Sequence, residues 1–317
     1  MIRALLLKAS DNRWLREHGV RAPFVRRAVS RFMPGETFDD MLRAANELAP
    51  QRIDSVFTRL GENVTDLAEA NRVAEHYLQG IDRIKQLGLD CEPSIKLTQL
   101  GLDINRDTAT AHARAIAGRA HAASSYLWID MEQSPYVDVT LAITEQLRRE
   151  FPGVGVCLQA YLHRTKDDLT RMLSLGAGVR LVKGAYREPP AIAFPQKSDV
   201  DANYLALAKM MIDARAHASA PALSERQRVE GRAVFGTHDT RLIATIASHA
   251  RATGVKAGGY EFHLLYGIQR AEQARLASAG ERCRVLIAYG TYWFPWYVRR
   301  LAERPANLWF VAKNIVK

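Results

Sequence analysis

Short apolar segments rich in β-branched residues alternate along the chain with longer segments in which apolar residues recur at helical spacing. The first kind predicts buried strands and the second predicts amphipathic helices. Eight segments predict strands: IDSVF from Ile53, PSIKL from Pro93, YLWIDM from Tyr126, VGVCLQAY from Val154, VRLVKG from Val179, RAVFGT from Arg232, YEFHL from Tyr260 and CRVLIAY from Cys283. Strands that alternate with helices form parallel sheets, and eight such units over about 250 residues predict an α/β fold, a closed (β/α)8 TIM-type barrel.

The helical segments lie between the predicted strands and also precede the first of them. NVTDLAEANRVAEHYLQGIDRIKQLG follows the first predicted strand, and YVDVTLAITEQLRREF follows the third. The longest connection lies between the fifth and sixth strands, where a proline-containing loop precedes a helix. We predict an N-terminal helical segment over residues 1–50 that packs on the barrel, and the barrel itself over residues 51–317.

Polar side chains gather at one end of the predicted barrel. Alternate residues of a strand face opposite sides of the sheet, which turns Lys96, Asp130, Gln159 and Arg180 inward near the strand ends. Chemistry in this fold takes place at the carboxyl ends of the strands. Cations and a carboxylate in a dry interior need partners or a charged ligand. The pattern predicts a site for a carboxylate, a phosphate or an electron-rich cofactor, with a structural ion-pair network as the alternative.

The stretch WYVRRLAERPANL near the C-terminus, from Trp296 to Leu308, adds two more arginines. On a helix, Glu303 lies one turn from Arg299 and nearly one turn from Arg300. Taken alone, the stretch favours an ion-pair ladder on a solvated helix face, and an anion clamp is the alternative. Together with the inward cations, the two arginines enlarge the predicted anion site.

The formal net charge of +10 is concentrated at the N-terminus. Residues 1–31 hold eight basic and two acidic side chains, which leaves a net charge of +6. Apolar residues lie between these basic residues and continue to Phe32, so residues 1–36 predict an amphipathic helix. We rank three roles for it: a helix packed on the barrel, a contact with anionic lipid, and a nucleic-acid arm of a non-enzymatic module.

Cysteine usage and hydropathy bear on the compartment. Cys91, Cys157 and Cys283 lack the spacing of metal ligands and suit reduced, structural thiols. No apolar run is long enough to span a bilayer, and no signal peptide with a cleavage site is visible. We expect a cytoplasmic protein without a metal site.

Several chemistries lack their motifs. The chain has no complete dinucleotide fingerprint, no P-loop, no HExxH zinc motif and no GxSxG nucleophile elbow. His238, His249 and His263 are scattered and favour structural roles. Lys96 leaves one alternative open, because a barrel lysine can form a Schiff base in a lyase or aldolase. Borohydride trapping of an adduct on Lys96 would support that alternative.

Seven motifs, taken together, resemble those of proline dehydrogenases of the monofunctional bacterial type. In chain order they are SIKLTQLGLD, WIDMEQSP, LQAYLHRT, RLVKGAYREP, FGTHD, EFHLLYGI and YVRRLAERPANL. The resemblance runs from about Arg31 to the C-terminus, and RLVKGAY and RRLAER are highly specific to that family.

The resemblance implies a flavoenzyme on a distorted barrel whose final helix lies over the barrel mouth. It implies oxidation of L-proline to Δ1-pyrroline-5-carboxylate, with hydride transfer to N5 of non-covalently bound FAD. Arg299 and Arg300 match the pair that binds the substrate carboxylate, and Glu303 matches the residue that orients them. Lys96 matches a third cation at the carboxylate, with Asp130 as its acidic neighbour.

The remaining matches divide between substrate and cofactor. Tyr186 and Leu265 match walls of the substrate ring, and Glu62 matches an acid at the pocket edge. Arg180 matches a contact close to flavin N5. The residues matched to the cofactor are Gln159, Arg180, Lys183, Gly184, Ala185, Thr237, His238, Asp239, Arg300 and Glu303. The catalytic set implied is Lys96, Asp130 and Arg180, and no single catalytic base follows from the sequence.

The chain departs from the family pattern at the eighth strand. Where the family has Tyr-Val-Pro-Tyr-Gly, this chain reads LIAYG over residues 286–290. The first tyrosine of the family motif packs over the substrate ring, so Leu286 removes a hydroxyl from the pocket roof. We expect weaker proline turnover or a preference for another cyclic amino acid, such as 4-hydroxyproline. Further departures are His263 for Gln, Gly236 for Ala and Thr58 for an acid.

The resemblance also bears on partners. A membrane quinone is the expected electron acceptor, because a basic amphipathic segment can touch the inner membrane surface. We expect a small amino acid as substrate and no nucleic-acid partner.

Overall fold

Eight parallel strands close into a barrel in the part of the chain that the computed structural model describes, namely residue 29, residues 31–217 and residues 231–294. The strands are β1 Asp54–Arg59, β2 Cys91–Ile95, β3 Leu127–Ile129, β4 Val154–Gln159, β5 Gly178–Val182, β6 Ala233–Gly236, β7 Tyr260–Leu265 and β8 Arg282–Tyr289. They pair in chain order, and β8 returns to β1, where Val56 pairs with Leu286. The predicted barrel is confirmed, and each observed strand overlaps its predicted segment.

In the part of the chain that the structure describes, one α-helix precedes β1, and the others connect successive strands on the outside of the barrel. Across the described residues they are α1 Phe38–Leu48, α2 Leu67–Gln86, α3 Arg106–Ala122, α4 Val137–Glu150, α5 Thr165–Ser174, α6 Lys197–His217, α7 Thr240–Ala252 and α8 Arg270–Ser278. The helices predicted after the first and third strands are confirmed as α2 and α4. Among the described helices, none is both long enough and apolar enough to cross a membrane.

Parts of the predicted architecture lie outside the described residues. They are residues 1–28 and residue 30 of the segment predicted to be an amphipathic helix, and the final helix with Arg299, Arg300 and Glu303. The division at residue 50 stays a prediction.

Helix α1 covers the seam at which the barrel closes. Thr37 and Asp40 form a capping box, in which the Thr37 hydroxyl accepts from the Asp40 amide at 3.1 Å and the Asp40 carboxylate accepts from the Thr37 amide at 3.0 Å. The ring of Phe38, the first residue of the helix, meets Phe57 of β1 and Tyr289 of β8 edge-on, at 5.7 Å from each. The apolar face of α1 therefore packs against both strands of the seam.

Strand residues alternate between the helices and the barrel interior, as predicted. In β4, Val156 and Leu158 are buried against the outer helices, and Cys157 and Gln159 face inward. In β5, Arg180 faces inward and contacts side chains of β2 and β4. This alternation gives the barrel an apolar outer shell and places charged side chains such as Arg180 in the interior.

A buried ion-pair cluster fills the amino-terminal half of the interior. Arg232 donates to both carboxylate oxygens of Glu261, at 3.0 and 2.6 Å, and to Glu92 at 2.8 Å. Arg284 donates to Glu261 at 3.1 Å, and the Trp128 indole donates to Glu92 at 2.8 Å. These carboxylates were not foreseen. The cluster and the Trp128 ring fill the amino-terminal half of the interior. The polar groups of the carboxyl-terminal half therefore face the mouth formed by the βα loops.

Candidate active site

Asp130 lies at the centre of the polar groups at the carboxyl ends of the strands. It directly follows the short strand β3, and its carboxylate faces β2 and β5. Lys96, just past β2, donates from Nζ to Asp130 Oδ2 at 3.0 Å, and Arg180 of β5 forms a close ion pair with Oδ1. Ser94 donates to Oδ1 at 2.9 Å and accepts from Arg180 at 2.7 Å. The structure thus brings together three residues that the sequence predicted to face one another.

The charges of this group are fixed at neutral pH. Burial alone would raise the pKa of Asp130, but the cations of Lys96 and Arg180 outweigh it and lower that pKa to about 2. Burial alone would lower the pKa of Lys96, but the Asp130 and Glu62 carboxylates outweigh it and raise that pKa. A Schiff-base lysine has to be a neutral amine. An ammonium held in this way argues against the lyase alternative.

Arg180 and Gln159 each present a buried polar atom without a partner among the described residues. Arg180 is 2% exposed, lies over the Trp128 ring at 5.1 Å and donates from Nε to Cys157 Sγ at 2.8 Å, yet its Nη1 has no acceptor. Gln159 donates to the Met131 carbonyl at 3.0 Å, and its Oε1 has no donor. A buried unpaired donor and acceptor cost stability unless a ligand satisfies them. These two atoms could pair with a planar group that both accepts and donates hydrogen bonds.

Two glycines next to these groups have no room for a side chain. Gly184 has a φ of +116°, and a Cβ there would lie 2.1 Å from the Tyr161 ring. A Cβ at Gly236, the last residue of β6, would lie 2.8 Å from Val182. The main chain at the ends of β5 and β6 is therefore packed closely against Tyr161 and Val182, which requires glycine at both positions.

The turn between β6 and α7 holds three more predicted residues. Asp239 caps α7 by accepting from the Arg241 amide at 3.2 Å, and its amide donates to the Thr237 hydroxyl at 3.1 Å. The Lys183 Nζ lies 3.5 Å from Asp239 Oδ2 and also forms an ion pair with the Asp201 carboxylate. The structure brings this turn and the lysine together.

His238, in the same turn, engages the neighbouring strand. Its Nε2 accepts from the Leu265 amide at 2.9 Å. This bond ties the turn after β6 to the end of β7, beside another predicted residue. The side chain of His238 thus has a structural role.

Apolar and acidic groups complete the mouth. Leu265 and Leu286 are register partners on β7 and β8, and both are partly buried in one apolar cluster. Leu286 also packs against the inner cluster of Val56 and Trp128, so it faces the interior as predicted. On another side, the Tyr186 hydroxyl donates to Glu62 at 3.2 Å.

Glu132 is a buried acid that the sequence analysis missed. Its carboxylate accepts from the Thr98 hydroxyl at 2.5 Å and from the Thr98 amide at 3.1 Å. It follows Trp128 and Asp130 at intervals of two, so the inward alternation could have identified it. Its place beside Lys96 and Glu62 makes it part of the charged mouth.

His263, one of the departures from the family pattern, lies between the two charged groups of the interior. It is 4% exposed, and its ring meets Trp128 edge-on at 5.8 Å. Its Nε2 is 3.5 Å from Glu261, where the geometry makes no hydrogen bond. Burial lowers the pKa of His263 to about 4; Glu261 opposes this, and the cations of Arg180 and Arg232 add to it. The imidazole is neutral at neutral pH.

Comparison with known proteins identifies close relatives over the whole chain. A family model described as proline dehydrogenase matches residues 41–313. Proline dehydrogenase 1 of Bacillus subtilis strain 168 is 36% identical over 317 residues, which is 100% of both chains. Proline dehydrogenase of Deinococcus radiodurans is 32% identical over 294 residues, covering 91% of this chain and 90% of that protein.

Solved structures share the barrel. Proline utilization A (PutA) from Bdellovibrio bacteriovorus, inactivated by N-propargylglycine, superposes with a TM-score of 0.79 at 22% identity, covering 96% of this chain and 36% of that one. PutA from Corynebacterium freiburgense gives a TM-score of 0.69 at 21% identity, covering 96% and 34%. The chain spans about a third of these PutA proteins, and the likeness shows a common fold.

The burial of Glu132 generates a prediction about pH and stability. Burial raises its pKa from 4.5 to about 7, while the Thr98 hydrogen bonds and Lys96 oppose the rise. Because the pKa of Glu132 is higher in the folded than in the unfolded protein, the folded state is favoured by its protonated form. This contribution to the free energy of unfolding is fully present below the unfolded-state pKa of 4.5 and is lost as the pH rises through the folded-state pKa of about 7. Between pH 5 and 8, we expect the free energy of unfolding of the wild type to fall by about 1 to 3 kcal/mol relative to Glu132→Gln.

Urea denaturation of both proteins at a series of pH values measures this difference. Glu150→Gln is the control, because Glu150 is half-exposed on α4 and pairs with Arg114 at 2.9 Å on the outer surface. It should follow the wild type over the whole range. A difference between wild type and Glu132→Gln that stays constant from pH 5 to 8 would contradict the prediction.

Proposed function

Because this chain belongs to the proline dehydrogenase family, we propose that it oxidises L-proline to Δ1-pyrroline-5-carboxylate with non-covalently bound FAD. The observation that carries the proposal is the Asp130 carboxylate with Lys96 and Arg180 around it, next to an Arg180 nitrogen that lacks an acceptor. This arrangement suits one anionic substrate and one electron-rich cofactor side by side.

Lys96 would bind the substrate carboxylate. Among the described residues its ammonium donates to Asp130, and an ammonium has two further donors for a second anion. Arg299 and Arg300, outside the described residues, would complete the clamp, with Glu303 orienting them. Such a clamp fixes the ring relative to the cofactor, and that positioning is most of what hydride removal needs from a protein.

The described residues fit a flavin. Arg180 Nη1 could donate to the isoalloxazine, and Gln159 Oε1 could accept from it. The rest of FAD would be bordered by Lys183, Gly184 and Ala185 and by the turn of Thr237, His238 and Asp239. FAD supplies the two-electron acceptor for the hydride lost from C5 of the ring. A fixed guanidinium beside it favours the reduced, anionic form.

The surrounding residues would shape the ring pocket. Leu265 and Leu286 offer an apolar wall, and Tyr186 with Glu62 offers a wall with a polar edge. The substrate amine has to be neutral before it loses hydride, and neighbouring cations favour its neutral form. The proton would therefore pass to solvent as the amino acid binds, and no residue is assigned as its base.

The electron acceptor completes the proposal. We propose a membrane quinone, supported by the +6 charge of residues 1–31 and by their amphipathic sequence. Proline-reduced protein that is not reoxidised by a soluble quinone analogue would contradict this part.

Removing the Lys96 cation tests the carboxylate site. We expect Lys96→Met to lower kcat/KM for L-proline by about 10- to 100-fold, because one charge-assisted hydrogen bond to the carboxylate is lost. The fold should remain, since Asp130 keeps its pair with Arg180. Kinetics with an artificial dye acceptor would measure the change, and mass spectrometry should find a product that lacks two hydrogens of proline.

Lys85→Met is the matched control. Lys85 lies at the outer end of α2 and donates to the Ala122 carbonyl at 2.9 Å. Its removal should leave kcat/KM within about twofold of wild type. Equal activity of Lys96→Met and Lys85→Met would contradict the proposed site, and a product of carbon–carbon cleavage would revive the lyase alternative.

A second candidate substrate follows from Leu286. This side chain faces the interior beside Leu265, where the family has a tyrosine, so a ring with an added hydroxyl meets less obstruction. We propose 4-hydroxyproline or another cyclic amino acid as a substrate oxidised by the same site.

The Leu286→Tyr variant tests this candidate. It should raise the ratio of kcat/KM for proline to that for 4-hydroxyproline by about tenfold. Leu87→Tyr, at an exposed position after α2, should leave the ratio unchanged. A wild type with a strong preference for proline, unaltered in Leu286→Tyr, would rule out a specificity role for Leu286.

A further inference from the structure

Residues 183–196, which we call the strap, cross the barrel mouth between β5 and α6 without forming a helix or strand. The strap contains Tyr186, the proposed wall of the ring pocket. Because the strap has no helix or strand of its own, contacts with other loops have to set its conformation.

Both ends of the strap are anchored on neighbouring elements. At its start, Lys183 pairs with Asp201 of α6. At its far end, the Phe194 amide donates to the Tyr161 carbonyl at 2.8 Å, and the His163 amide donates to the Ile192 carbonyl at 3.0 Å. The far end is thus held on the loop after β4.

The middle of the strap reaches further, past β4 to the loop after β3. Both carboxylate oxygens of Glu188 accept from Ser134: the amide donates to Oε1 at 2.8 Å and the hydroxyl donates to Oε2 at 2.7 Å. Because each oxygen has its own donor on one residue, the pairing fixes both position and orientation. We call this pair of bonds the clasp.

The partner of the clasp is itself fixed. Ser134 begins a short 3-10 helix that ends at Tyr136. The Tyr136 hydroxyl donates at 2.8 Å to Asp103, in the loop after β2. Asn63, next to Glu62, donates to the same Asp103 at 2.9 Å. Glu62 accepts from Tyr186, so hydrogen bonds run from the strap through three other loops and back to the strap.

We propose that Glu188 is a positioning residue for the reaction, and that its clasp on Ser134 sets the place of Tyr186 against the substrate ring. This inference rests on the proposed function. Glu188 lies two residues from Tyr186 with exposed Arg187 between them, so a shift of the clasp moves the tyrosine directly. The anchored ends keep the strap folded without the clasp, so its loss should change substrate binding more than stability.

Kinetics on single and double variants test the proposal. We expect Glu188→Ala to raise KM for L-proline by about tenfold with kcat within about twofold, because a wall of the binding site is lost and the reacting groups are not. Ser134→Ala should raise KM less, since the amide donor remains. The double variant should have the same KM as Glu188→Ala, because both changes remove the same pair of bonds. Ser134→Thr, which keeps both donors, should have the wild-type KM.

Hydrogen–deuterium exchange supplies a readout that needs no turnover. The peptide covering residues 183–188 should exchange faster in Glu188→Ala and in Ser134→Ala than in wild type, with an unchanged melting temperature. Glu150→Ala and Ser174→Ala are matched controls on the outer helices and should change neither KM nor exchange.

Several results would overturn the proposal. An unchanged KM would do so, whether or not exchange is faster, and so would a joint fall in kcat and melting temperature. A wild type that leaves proline unoxidised would instead overturn the proposed function before any variant is compared. In that case unchanged exchange in Ser134→Ala would show separately that the clasp does not hold the strap.

Discussion

The organisation of the site depends on one buried carboxylate. Asp130 allows two cations, Lys96 and Arg180, to share a small volume at the barrel mouth, because their mutual repulsion and desolvation would otherwise be too costly. Its own charge is secured by those cations, which lower its pKa to about 2 despite burial. Asp130, Lys96 and Arg180 therefore hold one another in place, and the two cations are positioned before a ligand binds.

Trp128, on the amino-terminal side of Arg180, supports this arrangement. The Trp128 ring lies under Arg180 at 5.1 Å, and its indole donates at 2.8 Å to Glu92 in the lower ion-pair cluster. One aromatic side chain thus connects two charged groups that would each be unstable in an apolar core. A rigid interior of this kind lets loops, rather than strands, vary the substrate pocket.

Much of the fold and part of the site were predictable, for physical reasons. Eight apolar segments with helices between them allow few architectures, and alternation alone turned Lys96, Asp130 and Arg180 toward one another. The same alternation would have found Glu132. It could not find Glu188, because an irregular strap has no period that tells where a side chain points. The lower cluster was missed for another reason: charged residues such as Glu92 and Glu261 occur in otherwise apolar strands, and pairing across the barrel becomes visible only once the strands close.

The visible absorbance spectrum of the purified protein, recorded anaerobically before and after addition of L-proline, tests most directly whether this barrel mouth holds a flavin and oxidises proline. We expect a flavin spectrum that bleaches on addition of proline, because the mouth would hold the cofactor and the substrate together. A protein that binds no flavin, although it is folded, would contradict the assignment of Arg180 and Gln159. A flavin that stays oxidised with proline and with every cyclic amino acid tested would contradict the assignment of Lys96.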